Sequence, residues 1–76
     1  MIVRRRRAVI LRTWRLQAGL TVGQVSEALG LHSTKLILAL EEGLGDLGAQ
    51  RVLRLARIYK VDHPLMLRVI RTGSAR

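Results

Sequence analysis

A chain of 76 residues without cysteine holds one domain at most and cannot rely on disulfides or thiolate metal sites, so its core must come from packed helices or from a second copy. Fourteen Lys and Arg against five Asp and Glu give a net charge of +9, which favours a polyanionic partner. Apolar residues make up 49% of the chain, yet Trp14 and Tyr59 are the only aromatics; Ala, Leu and Arg dominate and favour helix over strand, and no apolar run reaches the roughly 18 to 20 residues of a membrane span.

Met1 to about Val3 reads as a loose end, followed by the basic run Arg4, Arg5, Arg6 and Arg7. Arg12 and Arg15 interrupt the next apolar stretch too early for a signal peptide, so a cytoplasmic protein is expected, nucleoid-associated if it binds DNA. A first helix is predicted from about Arg5 to Ala18, burying Leu11, Trp14 and Ala18 at i, i+3 and i+7. The second begins at Thr21, an N-cap hydroxyl with Gln24 three residues on, the spacing of a capping box. It buries Val22, Val25 and Leu29 and stops at Gly30. A third helix is predicted from His32 or Ser33 to Glu41 or Glu42. The fourth, from Leu47 or Gly48 to about Lys60, turns Val52, Leu55, Ala56 and Tyr59 inward and Arg51, Arg54 and Arg57 outward. Asp62 is expected to cap a fifth helix with Pro64 in its first turn and with Leu67 and Ile70 facing in. The fold expected is therefore all-α, a compact bundle of five short helices in a single domain over residues 1–76, its core at about 8–70 and a flexible tail at 72–76.

Charge is unevenly spread. Residues 1–20 carry six arginines and no acid, and residues 51–76 carry seven basic residues against Asp62, so each flank stands at +6. Between them Lys35 faces Glu27, Glu41, Glu42 and Asp46, and the centre stands at −3.

Four short patterns, in order, resemble the lambda-repressor-like (Xre, Cro/cI-type) helix-turn-helix family. The first-helix signature LRxxRxxxGLT is met by Leu11, Arg12, Arg15, Gly19, Leu20 and Thr21; the second-helix pattern by Val25, Ser26, Leu29 and Gly30; the ExG after the third by Glu41 and Gly43; and LxLAxxYxV by Leu53, Leu55, Ala56, Tyr59 and Val61. The resemblance spans roughly residues 8 to 70 and implies a central helix-turn-helix made of the second and third helices. It also implies a structural ion pair between Arg15 and Glu41. Ser26 falls where the two helices cross closely, a place that excludes bulk. Gly30 to Glu41 is one residue longer than the commonest spacing in the family, so either the turn carries an extra residue around His32 or the third helix is shifted in register, with Leu38 and Ala39 competing for one family position.

The same resemblance implies the functional residues. Base-facing candidates at the third helix are His32, Ser33, Thr34, Lys35 and Leu38; Val22 stands where relatives place a phosphate-contacting amide. Phosphate candidates are Thr21, Gln50, Arg51 and the run Arg4, Arg5, Arg6 and Arg7, for which the bland alternative is a solvated helix end. His32 and His63 are far apart without cysteine, so no metal site is expected, and no cofactor. Ser26, Ser33 and Ser74 lack a partnering His and acid, and no Gly-rich phosphate loop follows a strand, so no catalytic residue and no small-molecule substrate are expected. The function expected is a sequence-preferring binder of double-stranded DNA, a prokaryotic or phage regulator of the repressor or Cro-like kind. The apolar run Leu36 to Leu40 with Leu65, Met66 and Leu67 exceeds what one face of each helix hides, and suggests a homodimer or another protein partner. The alternative is an interaction module (antitoxin, anti-repressor or assembly factor) using the third helix; a cationic helix lying on a membrane is disfavoured by the glycine-capped helices.

Overall fold

Five helices follow the hydrophobic periodicity: α1 (Ile2–Gln17), α2 (Val22–Ala28), α3 (Lys35–Glu41), α4 (Ala49–Tyr59) and α5 (His63–Thr72). The computed structural model describes residues 2–73, with side chains from residue 6 onward; Met1 and residues 74–76 of the expected tail lie outside the described residues. Among the described residues there is no strand, and no helix is long and apolar enough to cross a membrane.

The core draws on every helix. α1 supplies Leu11, α2 Val25, and α3 Ile37 and Leu40; Val52, Leu55, Ala56 and Tyr59 come from α4, and Met66, Val69 and Ile70 from α5. Leu29 and Leu47 close it from the connections. The most extensive packing is α4 on α5, with α1 laid across α3 and α5 and α2 against α3. Trp14 is half-buried against this cluster. Ser26 is buried, and its hydroxyl has no partner. Its small side chain fits the packing of α2 on α3 that the sequence implies.

Met66, one of the apolar residues in apparent surplus, is fully buried, and Leu36, Leu65 and Leu67 are each partly covered. Of the two residues expected to face in from α5, Ile70 is buried and Leu67 only partly so: Met66, Val69 and Ile70, at i, i+3 and i+4, form the buried stripe, which places Leu67 on its margin. Much of the apolar excess in the sequence is absorbed in this way by the chain's own core.

α1 begins at Ile2 and not near Arg5, because residues 2–17 contain neither Gly nor Pro and arginine is a good helix former. The residues expected to be loose at its start are therefore helical from Ile2 onward. At the other end, Thr72 closes α5 and Gly73 caps it in the left-handed region, so the helix extends past the expected start of the tail. Asp62 does occupy the N-cap of α5, but its carboxylate makes no capping hydrogen bond; Met66 N–H donates to the Asp62 backbone carbonyl instead.

The turn between α2 and α3 is where local chemistry decides most. Gly30 N–H donates to Glu27 O and Leu31 N–H to Ser26 O, the paired bonds of a Schellman cap. Gly30 has φ +74 with open space where a Cβ would stand, so its requirement is one of backbone angle and not of crowding. α3 starts at Lys35, later than the predicted His32 or Ser33. The Ser33 hydroxyl accepts Lys35 N–H at 3.1 Å, a local turn bond that competes with helix formation. The third helix therefore begins only at Lys35, with His32, Ser33 and Thr34 in the turn ahead of it. At the end of α4 the same kind of cap is made by Lys60 at φ 58, with Val61 N–H donating to Ala56 O; no glycine marks it in the sequence.

Candidate nucleic-acid interface

Thr21 opens α2 with a complete capping box: Gln24 N–H donates to Thr21 Oγ1 at 3.1 Å, and Thr21 N–H donates to Gln24 Oε1 at 2.8 Å. The Thr21 side chain is exposed, and its hydroxyl proton is not used by the cap. Val22, one residue on, is partly covered and offers no hydrogen bond.

His32, Ser33 and Thr34 are exposed in the turn, and Lys35 and Leu38 are exposed on α3. Three of the five base-facing candidates therefore stand ahead of the helix and not on its first turn, which corrects the predicted placement. Lys35, Leu38 and Glu42 share one outward stripe at i, i+3 and i+7, while Ala39 is partly covered. Glu42 and Leu44 are exposed neighbours of this surface that sequence reasoning missed; for Glu42, the i+7 spacing from Lys35 was the available signal.

Exposed basic residues stand on the other helices. Gln50 and Arg51 are exposed in the first turn of α4, with Arg54 and Arg57 further along, and Arg68 and Arg71 stand exposed on α5. Arg6 is exposed on α1, whereas the side chains of Arg4 and Arg5 lie outside the described residues. Arg7 does not fit its assignment to phosphate. It is 9% exposed, and its Nη1 donates at 3.3 Å to the backbone carbonyl of Ile70 in the last turn of α5. That carbonyl has no acceptor role left within its own helix, and a cation at a helix C-terminus is favoured by the helix dipole.

A partly buried ion pair links this surface to α1. Arg15 Nε donates to Glu41 Oε2 at 2.6 Å and Nη2 donates to Oε1 at 2.9 Å, a bidentate bridge from α1 to the end of α3. Arg15 Nη1 also donates to the carbonyl of Leu20 at 2.9 Å, just before the N-cap of α2. A single guanidinium thus ties α2 and α3 to α1. The Glu41 carboxylate hydrogen bond holds the Arg15 pKa above its ordinary value, against the opposing effect of burial.

Tyr59 lies near this pair, and burial, with a smaller contribution from Glu41, pushes its pKa above the ordinary tyrosine value. The folded protein therefore keeps the phenolic proton at a pH where the unfolded chain releases it. This contribution to stability is fully present below about pH 10 and is lost as pH rises above it, with a slope of at most about 1.4 kcal/mol per pH unit. Urea midpoints measured from about pH 8 to about pH 11.5, spanning the ordinary tyrosine value, are expected to fall more steeply for the wild type than for Tyr59→Phe; parallel curves would remove Tyr59 as the cause.

Residues 8–69 match the family described as "Helix-turn-helix domain". The chain belongs to the helix-turn-helix domain family. In this class the second helix of the motif is presented to the major groove while the first crosses the backbone, so the domain is DNA-binding and of the kind found in transcription regulators. No curated protein and no solved structure matches the chain. Among the described residues no group of three or more His, Cys, Asp or Glu is placed to hold a metal ion.

Proposed function

We propose that this helix-turn-helix domain is a small sequence-preferring transcription regulator of the Xre or Cro/cI type, a prokaryotic or phage repressor or Cro-like protein. It holds duplex DNA through arginine–phosphate contacts and lays α3 in the major groove. The observation that carries the reading is the exposure of His32, Ser33, Thr34 and Lys35 at the entry to α3 and of Leu38 one turn on, in a chain of net charge +9. Thr21, Gln50, Arg51 and the exposed arginines of α1 take the backbone, while Ser33, Thr34 and Lys35 face the bases. Affinity then comes mostly from phosphate, and specificity is modest and helped by DNA shape.

The protein acts as a two-fold dimer, since one such reader covers only a half-site. Val9 and Leu16, one heptad apart and exposed on the outer face of α1, are apolar surface available to the second copy. A second reading, an interaction module docking through α3, is favoured by one observation: Leu38 and Leu44 are exposed apolar side chains at the recognition element itself.

Binding to random-sequence duplex at several salt concentrations, with mass followed by light scattering in the same buffers, separates the two readings. The DNA reading expects affinity that falls steeply with salt, and Lys35→Ala is expected to change the preferred sequence if Lys35 meets a base, or only the overall affinity if it meets phosphate. Absence of binding at low salt would assign α3 to a protein partner.

A further inference from the structure

Leu38 stands on the outward stripe of α3 between two charged residues, Lys35 one turn before it and Glu42 one turn after, and it is 47% exposed. The chain returns to the same end of the helix through a Schellman turn in which Leu44 N–H donates to Ala39 O at 2.8 Å and Gly43 N–H to Leu40 O at 3.1 Å. Leu44, 45% exposed, follows there, and a Cβ built on Gly45 would lie 3.9 Å from the Cβ of Ala39. The inward face of α3 is already served by Ile37 and Leu40, both 1% exposed. Leu38 is therefore not needed to hold the fold.

Resting on the DNA reading above, we propose that Leu38 recognises the C5 methyl group of a thymine in the major groove. The edges of the bases in that groove present hydrogen-bond donors and acceptors, and the thymine methyl is the apolar feature among them. Leu38 has no polar atom. Pressed against any other base edge it strips water from groups it cannot satisfy; against a methyl it removes apolar surface of both partners from water. Its neighbours set the approach. Lys35 is drawn toward the duplex, whereas the Glu42 carboxylate is repelled by phosphate, so α3 enters by its N-terminal end. Lys35 and Leu38 are separated by about 4.5 Å along the axis, which corresponds to one or two base pairs. The thymine belongs within that distance of the base or phosphate met by Lys35.

The test starts from a preferred site selected out of random duplexes by the full chain. Each thymine is then replaced singly by uracil, which removes one methyl and changes nothing else in the pairing. The wild type is expected to lose about three- to fourfold in affinity at one or two positions, the value of one buried methyl, and to be indifferent elsewhere. Leu38→Ala is expected to bind the thymine and uracil duplexes equally, and Leu38→Gln, of similar length, to shift the preference at that base pair toward adenine. A flat uracil scan with steep salt dependence would overturn the methyl contact and leave DNA binding standing. A uracil effect that persists in Leu38→Ala would assign the methyl to another side chain. Absence of any duplex binding would overturn both this contact and the proposed function.

Discussion

Glu41→Ala is expected to destabilise the protein by about 3 kcal/mol, the low end of what breaking a buried ion pair costs, out of a total of roughly 4 to 11 kcal/mol for a chain of this size. The low end applies because Arg15 and Glu41 retain 11% and 9% of their side-chain exposure, so the orphaned guanidinium keeps some water. Arg15→Ala is expected to cost more than Glu41→Ala, since it leaves both the carboxylate and the carbonyl of Leu20 without their donor. Replacing both partners, as Arg15→Met with Glu41→Leu, is expected to cost less than either single change, because no unpaired charge is then left inside. Urea denaturation followed by circular dichroism measures all three. If the double variant were as unstable as the sum of the singles, the bridge would be acting through side-chain packing and not through charge.

The consequence for function follows from where the bridge is anchored. Glu41 is the last residue of α3 and Leu20 directly precedes the N-cap of α2, so the pair fixes both helices of the motif against α1. Conservative changes that leave the fold intact, such as Glu41→Gln, are expected to loosen the angle of α3 and to lower affinity for a selected site more than for random duplex.

The second large effect concerns the amino-terminal arginines, from which Arg7 is set apart by its burial. Replacing Arg4, Arg5 and Arg6 together by Ala is expected to weaken binding to every duplex alike and to reduce the salt slope by up to about 2.7 units, some 40-fold between 50 and 200 mM salt, if each meets one phosphate. Arg7→Ala is expected to leave the salt slope unchanged and to lower stability by about 1 to 2 kcal/mol, because its guanidinium is buried and serves the carbonyl of Ile70. Salt titrations and urea melts of the two variants, made side by side, distinguish these outcomes. A slope that falls with Arg7→Ala would mean that this side chain leaves its place on α5 to meet the duplex. An unchanged slope in the triple variant would make the run a solvated helix end.

Elements governed by local chemistry are legible in the sequence. The Thr21–Gln24 capping box, the stop at Gly30 and the inward face of α4 depend on residues within one or two turns of each other, and the chain carries them in plain view. The Arg15–Glu41 pair is reachable as well, though only because its two short patterns resemble a known family; nothing in the 26-residue separation between them brings the side chains together. Exposed Leu38 follows from the same resemblance. Its neighbour Leu44 does not, since whether a leucine in a glycine-rich connection faces water depends on how the turn folds back.

By itself, then, the sequence determined an all-helical chain with its positive charge on the flanks, because periodicity, capping and charge are properties of neighbours along the chain; the helix-turn-helix at its centre was legible through the resemblance of its short patterns to a known family. Tertiary structure alone decided that Arg7 leaves the arginine run for the end of α5, that Met66 is core and Leu67 its margin, and that α3 starts only at Lys35. In each case the outcome was a competition between alternatives of similar local cost. An arginine does as well in water as on a carbonyl until a helix end is brought to it, and two adjacent apolar residues are equivalent until a second helix selects one face. The Ser33 hydroxyl, in turn, can hold the backbone in a turn only where the packing of α2 on α3 leaves that turn room.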